Sequence, residues 1–223
     1  SIVSFSISIA SLFLTFLSQV SMVFFPNLKQ TSEDNLKKVF LVMRDGLDVM
    51  LPAIYVLFGP IVVILTAWLP QYAKSLELFS ILFPICVFDG KMDIVGTTFF
   101  KVLREEKRLL KINVVAFATS AVITIAGTYI FHSVEFTLTG VMLILGIRST
   151  YSELKITNIL GVETTRLGFM ALALSAAFVA IAQVASPLVA SLVFFIIYLA
   201  YLLVNKKHLQ SILQAASKLK KAA

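Results

Sequence analysis

The sequence predicts an all-α membrane protein, a bundle of about seven transmembrane helices. Three observations support this fold class: 59% of the residues are hydrophobic, several apolar runs are long enough to cross a bilayer, and basic residues concentrate in alternate connections. A soluble domain has only about 45 to 50% apolar residues and could not bury this much apolar surface. The runs are long and lack the alternation of barrel strands, so helices are the expected way to satisfy the backbone in lipid.

Seven stretches have the composition of a membrane span, which needs about 20 residues to cross about 30 Å of hydrocarbon. They lie near residues 2–25, 49–69, 75–100, 112–130, 136–154, 167–185 and 187–204. The first stops at Pro26, and the second carries Pro52 and Pro60, which remove backbone hydrogen bonds and permit a kink. The helix bundle is therefore expected to comprise residues 1–204.

Residues 205–223 form a basic tail outside the predicted spans. Its lysines leave one helical face apolar, which consists of Leu209, Ile212, Leu213, Ala216 and Leu219. This pattern is typical of an interfacial helix on anionic membrane lipid, although a frayed soluble helix explains it equally well.

Two features near the N-terminus carry further expectations. The chain begins at Ser1 inside an apolar stretch and without an initiator methionine, which indicates a truncated protein. The stretch 31–34 (TSED) has the hydroxyl and acidic residues of a helix start. The second helix is therefore expected to begin well below the membrane.

The distribution of basic residues predicts the orientation. The segments after the first, third and fifth spans, together with the tail, hold 16 of the 19 Lys and Arg residues, whereas the alternate loops hold only Lys74. This bias places those segments and the C-terminus in the cytoplasm, as in a multi-pass protein of the cell membrane. Because the sequence has no basic face with interleaved aromatic residues, we expect no nucleic-acid partner.

Few residues suit catalysis or metal binding. Cys86 is the only cysteine and lies in an apolar run, and His132 and His208 have no companion at metal-ligand spacing. The sequence also lacks a glycine-rich phosphate loop and a nucleophile elbow. We therefore expect no catalytic residue, no metal and no cofactor, and we predict that the protein is not an enzyme.

Ionisable residues within the predicted spans are the candidate functional residues. Asp89, Lys91 and Asp93 lie in the third span, and Arg148 lies in the fifth, followed by residues 149–153 (STYSE). A charge near the bilayer centre costs at least about 2.5 to 3.5 kcal/mol on insertion scales, so such residues usually face protein or water. Asp89 and Asp93 are four residues apart and share a helix face, while Lys91 points to the other side.

The depth of two of these charges can be estimated. Asp89 follows Lys74 by 15 residues, and Arg148 follows Glu135 by 13. Both spans run inward, so at about 1.5 Å per residue both side chains lie roughly 20 Å below the external boundary, close to the midplane. They are expected to face each other or one polar cavity.

Two interpretations of these residues remain open. In the functional one, Arg148, with Lys91 and Tyr151, binds an anionic group of a substrate, while Asp89 and Asp93 bind a coupling cation or proton. In the structural one, the charges form an ion pair that only orders the bundle. A second group, which comprises Arg44, Asp45 and Asp48, lies at the cytoplasmic start of the second span. It fits either a solvated helix end or the mouth of a cavity.

Two segments resemble parts of a known transporter family. Residues 18–28 (SQVSMVFFPNL) end an apolar run in an apolar-Pro-X-Leu element, which the polar residues 31–38 follow. Residues 102–113 (VLREEKRLLKIN) form a charged cytoplasmic link between consecutive predicted spans. In these features the chain resembles the polysaccharide and oligosaccharide flippases of the multidrug/oligosaccharidyl-lipid/polysaccharide (MOP) exporter superfamily.

The resemblance implies two pseudo-symmetric helical lobes around a central cavity, with this chain as the C-terminal lobe and the N-terminal lobe as its missing partner. Such proteins move undecaprenyl-diphosphate-linked sugars, including polysaccharide and O-antigen repeat units, to the outer leaflet by alternating access. Some members couple this to an ion. The expected substrate is therefore a lipid-linked oligosaccharide. Of the basic residues that line the family's cavity, only Arg148 is carried over, because two acids flank Lys91.

Three other functions compete with the flippase hypothesis. A drug or metabolite cation antiporter of the same superfamily would favour Asp89 and Asp93 without cationic partners. A membrane-embedded transferase that acts on polyprenyl phosphate would need an acidic metal site and a substantial loop, whereas the external loops here are short. A membrane scaffold without transport activity would pair all midplane charges and leave no cavity between them.

Overall fold

A computed structural model describes residues 32–164, 166–206 and 209–210, together with residues 8, 11–12 and 14–15. The first predicted span, the apolar-Pro-X-Leu element and the amphipathic face of the tail lie outside the described residues, apart from these few positions. The backbone of the two predicted spans that carry charged residues, near 75–100 and 136–154, is described throughout.

Every regular element within the described ranges is helical. Helix α1 (Glu33–Met50) continues through a 3-10 helix (Leu51–Leu57) into α2 (Phe58–Trp68). A short 3-10 helix (Pro70–Tyr72) leads to α3 (Ala73–Leu82), α4 (Ile85–Lys91), a π-helical segment (Met92–Thr97) and α5 (Thr98–Val102). The remaining helices are α6 (Glu106–Tyr129), α7 (Val134–Leu160), α8 (Leu167–Val184) and α9 (Pro187–Val204).

Four helical stretches are long and apolar enough to cross a membrane. They are Asp34–Trp68, Glu106–Tyr129, Leu167–Val184 and Pro187–Val204. These stretches coincide with four of the predicted spans, and the predicted helical bundle is confirmed for the described part of the chain. The total of seven spans and the assignment to one lobe of a transporter stay predictions.

The outer surface of this bundle is strongly apolar. Large exposed side chains follow one another along α6 and α9, among them Phe117, Val122, Ile125, Leu192, Ile196 and Leu203. A water-soluble monomer rarely exposes contiguous apolar patches above a few hundred Å². Such faces are typical of helices that contact lipid, where apolar side chains carry no hydration cost.

The first membrane stretch is interrupted where the sequence places Pro52. Proline has no N–H, so the carbonyl of Asp48 loses its helical donor, and the chain tightens into the 3-10 helix from Leu51. Helix α9 supplies the missing donors: the Tyr201 hydroxyl donates to the Asp48 carbonyl at 3.3 Å, and that of Tyr198 donates to the Val49 carbonyl at 2.9 Å. The predicted kink is therefore a local change of helix type that α9 stabilises.

Aromatic side chains fill the core between this interrupted helix, α8 and α9. Tyr55 stacks on Phe178 with ring centroids 4.4 Å apart and meets Phe194 edge to face at 5.2 Å. The Tyr55 hydroxyl shares a 2.7 Å hydrogen bond with Ser175. Buried aromatic pairs of this geometry stabilise a fold beyond their area burial, and the hydroxyl is satisfied as burial requires.

The third predicted span, near 75–100, differs from a regular helix. A turn at Phe83 and Pro84 separates α3 from α4, and the π-helical segment begins directly after Lys91. Proline cannot donate to the preceding turn, which explains the first break. A π-helical turn accommodates an extra residue and often lies at a functional site. The π-helical segment changes the helical spacing after Lys91, so Asp93 does not take the angular position relative to Lys91 that a regular α-helix would give it.

Helices α6 and α7 form a close antiparallel hairpin. A Cβ added at Gly127 would lie 2.0 Å from the Thr137 hydroxyl oxygen, so this contact requires glycine. Ser133 caps α7 by accepting a hydrogen bond from the Phe136 backbone N–H at 3.2 Å, and Gly161 ends the helix with a φ of 63°. The hairpin fixes α7, which carries charged residues against both α4 and α1.

Candidate functional site

The first charged pair joins α7 to α4. The Arg148 Nη2 atom donates to Asp89 Oδ1 at 2.5 Å. Both side chains are partly accessible, with 20% of Arg148 and 26% of Asp89 exposed. The two charges therefore face each other, as the depth estimate predicted.

Five further charged side chains form what we term the buried ion cluster: Arg44, Asp45, Asp48, Lys91 and Glu153. Lys91 Nζ donates to both Asp48 Oδ1 and Glu153 Oε2, the latter at 2.6 Å. Arg44 Nε donates to Asp45 Oδ1 at 2.7 Å and lies 3.8 Å from Glu153 Oε1. The cluster joins α1, α4 and α7 through ionic contacts.

Neighbouring groups complete the surroundings of the buried ion cluster. Arg44 Nη1 donates to the Glu163 carbonyl at 3.0 Å and to the Thr157 hydroxyl at 3.4 Å. The guanidinium of Arg44 also lies over the Phe40 ring, 5.4 Å from its centroid. At the start of α8, a Cβ on Gly168 would lie 2.7 Å from Glu153 Oε2. The absence of a side chain there gives the carboxylate its space.

The structure contradicts a solvated helix end at Arg44, Asp45 and Asp48. Their exposed fractions are 0%, 5% and 1%, respectively. The reason is tertiary: the chain that leaves α7 reaches Arg44 through the Glu163 carbonyl, and Lys91 covers Asp48. A helix end that appears polar in the sequence is therefore an internal contact between helices.

The predicted site residues fall into two groups. Arg148 and Asp89 are in contact, whereas Lys91 is 5% exposed and bound to two carboxylates of the buried ion cluster. Tyr151 is 46% exposed, and Lys155 Nζ lies 5.2 Å from the centroid of its ring. Asp93 is partly buried on the π-helical segment. Their roles in binding a substrate or an ion stay predictions.

The sequence pattern assigns no role to Glu153, and it groups Asp48 with a helix end. One signal could have identified Glu153: it is a carboxylate five residues beyond Arg148, and about 140° away on a helix of 3.6 residues per turn. Arg148 and Glu153 therefore face different neighbours. Lys91, which points away from Asp89 and Asp93, is the natural partner of a carboxylate on that other face.

A groove between α6 and α7 opens beside Arg148. Its volume is about 410 Å³, and Lys111, Thr119, Arg148 and Tyr151 supply polar groups to its lining. Val115, Ile144 and Ile147 supply apolar walls. Arg148 Nε has no hydrogen-bond partner within the described part of the chain, so the guanidinium retains donor capacity besides its bond to Asp89.

A second groove lies on another face of α7, between α3, α4 and α8. It has a volume of about 610 Å³ and an almost entirely apolar lining that includes Pro84, Phe88, Gly146 and Leu172. Neither groove offers metal ligands: the described residues contain no group of three His, Cys, Asp or Glu side chains that could hold a metal ion. Cys86 is buried in the apolar core.

Comparison with known proteins adds no relative. No protein-family model matches the chain, and neither a curated protein nor a solved structure matches it. The candidate site therefore has to be interpreted from its own geometry and from the sequence.

Proposed function

We propose that this chain is the C-terminal lobe of a membrane transporter that flips a polyprenyl-diphosphate-linked oligosaccharide across the cytoplasmic membrane by alternating access. One observation carries the proposal. Arg148, in the predicted fifth span, keeps an N–H without a partner among the described residues and lines a groove that has cationic groups and aliphatic walls. A diphosphate attached to a prenyl chain combines the two kinds of surface that such a groove binds.

The chemistry of the groove supports an anionic substrate. Lys111 and Arg148 contribute basic groups, and Tyr151 and Thr119 contribute hydroxyl groups. An arginine guanidinium donates up to five hydrogen bonds in a fork that matches phosphate oxygens. Such hydrogen bonds are stronger where water is scarce. The bond to Asp89 orients this fork.

The pairing of Asp89 also separates two candidate substrates. A cationic drug or metabolite would need a carboxylate without a cationic partner, whereas Asp89 accepts a hydrogen bond from Arg148 at 2.5 Å. This contact favours an anionic substrate that displaces Asp89 from the guanidinium. In the proposal, Asp89 and Asp93 then become available to a coupling cation or proton.

The proposal includes seven spans, a cytoplasmic C-terminus and a missing N-terminal lobe. Four described stretches have the length and apolarity of spans. Helix α7 has 27 residues, so at about 1.5 Å per residue it is longer than the hydrocarbon is thick. The proposal counts it as a span although it contains Arg148 and Glu153. The interrupted helix from α3 to α5 and the apolar stretch 2–25 supply the remaining two spans.

Replacement of Arg148 in the full-length protein tests the proposal. Export is measured as surface polysaccharide in cells that depend on this protein, at matched protein levels in the membrane. We expect Arg148→Ala to reduce export at least tenfold and Arg148→Lys to retain part of it, because lysine keeps the charge but loses the fork.

Arg108 provides a matched control for this experiment. It is an exposed arginine that pairs with Glu105 at 3.2 Å, away from the groove. We expect Arg108→Ala to leave export unchanged. Wild-type export by Arg148→Ala at a normal protein level would rule out the proposed binding site.

A further inference from the structure

We infer that Asp48 and Glu153 together bind one proton, which resides on Oδ2 of Asp48, the oxygen that does not contact Lys91. The inference concerns the buried ion cluster and does not depend on the proposed transport function. It assigns a proton-binding site to Asp48, whose sequence pattern suggested only a helix end or a cavity mouth, and to Glu153, to which the pattern assigned no role.

The first step concerns the balance of charge around Lys91, where two carboxyl groups share one ammonium group. Its single ammonium group donates to a carboxyl oxygen of Asp48 and to one of Glu153, so both carboxyl groups lie within reach of one nitrogen. All three side chains are nearly inaccessible, with exposed fractions of 7%, 0% and 5% for Lys91, Asp48 and Glu153. Two carboxylates that share a buried site repel each other, and one of them normally retains a proton.

The second step is the hydrogen bonding of Asp48. Its Oδ1 atom contacts Lys91, but its Oδ2 atom is buried without a hydrogen-bond partner among the described residues. A bare carboxylate oxygen that is isolated from water is costly, because no donor replaces the water molecules that it has lost. A proton on Oδ2 removes the charge from that atom and leaves Oδ1 to accept from Lys91.

The third step accounts for the other groups that face Asp48. On α1, Arg44 directs its Nε bond to Asp45, and its nearest contact with Glu153 is longer, at 3.8 Å. On α9, Tyr201 donates to the backbone carbonyl of Asp48 and not to its carboxyl group. Neither α1 nor α9 therefore supplies a second positive charge or a donor to Oδ2.

Infrared spectroscopy of the full chain in lipid nanodiscs tests the inference directly. A protonated carboxyl group has a carbonyl stretch that is resolved from those of carboxylates and amides. We expect this band in the wild type at neutral pH, and we expect it to shift when the carboxyl carbon of aspartate is isotopically labelled. A wild-type spectrum without the band at neutral pH would overturn the inference, whatever the behaviour of any variant.

Two variants then identify the site. Asp48→Asn removes the carrier of the proton, and Glu153→Gln leaves a neutral pair between Asp48 and Lys91 that no longer needs one. We expect each single substitution to abolish the band, whereas the matched control Glu105→Gln, whose side chain is 32% exposed, preserves it. A band that persists in both site variants would assign the proton elsewhere and contradict the inference.

Stability against pH gives a second measurement. A folded protein that binds one proton more than its unfolded chain becomes less stable as the pH rises, and Asp48→Asn should remove that part of the slope. Titration with sodium chloride at constant pH tests whether the site binds a metal cation instead of a proton. If sodium chloride, but not choline chloride, stabilises the wild type and the carboxylic acid band is missing, the site holds a metal cation and the proton assignment is wrong.

Discussion

The Arg148–Asp89 pair and the buried ion cluster use the same chemistry in opposite environments. Both connect α7 to α4, yet Arg148 and Asp89 are 20% and 26% exposed, whereas Arg44, Asp48 and Glu153 are at most 5% exposed. An accessible pair can exchange its partner for water or an anionic ligand at small cost. A buried charge that loses a partner has no water to replace it. The first pair therefore suits binding, and the second holds the helices together.

The largest expected effect separates the two regions most clearly. Lys91→Met removes the ammonium group that Asp48 and Glu153 share and leaves two buried carboxyl groups without it. Removing one partner of a buried ion pair costs about 3 to 5 kcal/mol, so we expect a loss of this size in the free energy of unfolding. Denaturation in mixed detergent micelles measures it. A loss below about 1 kcal/mol, which is the range of exposed ion pairs, would contradict the proposed energetic difference between the buried ion cluster and the accessible pair.

A smaller effect is expected at the contact between α8 and the buried ion cluster. Gly168→Ala introduces a Cβ that would lie 2.7 Å from Glu153 Oε2. Overpacking of a well-filled interior costs about 1 to 3 kcal/mol, and we expect a destabilisation in this range. The same denaturation assay measures this loss. Gly161→Ala cannot serve as its control, because the positive φ at Gly161 would strain an alanine. A neutral Gly168→Ala would indicate that the cluster rearranges easily.

The hydrogen bond that compensates for Pro52 predicts a still smaller effect. Tyr201→Phe leaves the Asp48 carbonyl without the donor that α9 supplies. A typical intramolecular hydrogen bond contributes about 0.5 to 1.5 kcal/mol, so we expect a loss of about 1 kcal/mol in the free energy of unfolding. Combining Tyr201→Phe with Lys91→Met in a double-mutant cycle tests coupling. Strict additivity would show that the proline break and the buried ion cluster are energetically independent.

The smallest expected effect on stability belongs to the accessible pair. Arg148→Ala should change the free energy of unfolding by about 0 to 1 kcal/mol, because water replaces the lost contact of partly exposed Asp89. Under the proposed function the same substitution reduces export strongly. Melting curves recorded beside the export assay therefore sharpen the comparison. A destabilisation as large as that of Lys91→Met would make the pair structural.

The local features of the chain were largely predictable. The apolar runs near 112–130, 167–185 and 187–204 coincide with α6, α8 and α9, and Pro52 marks the change to a 3-10 helix. The contact between Arg148 and Asp89 agrees with the similar depth that counting residues along two predicted spans gives them. The π-helical segment after Lys91 was not predictable, because no proline or glycine pattern distinguishes it from a regular helix.

The sequence by itself determined the helical class and the positions of these membrane stretches. In lipid each backbone segment has to satisfy its own hydrogen bonds, so the length and apolarity of a run decide its structure locally. Only the tertiary structure decided which charges meet. Arg44, Lys91 and Glu153 lie far apart in sequence, and their burial depends on how α1, α4 and α7 pack. Because burial determines the cost of an unpaired charge, packing separated an accessible ion pair from a core contact.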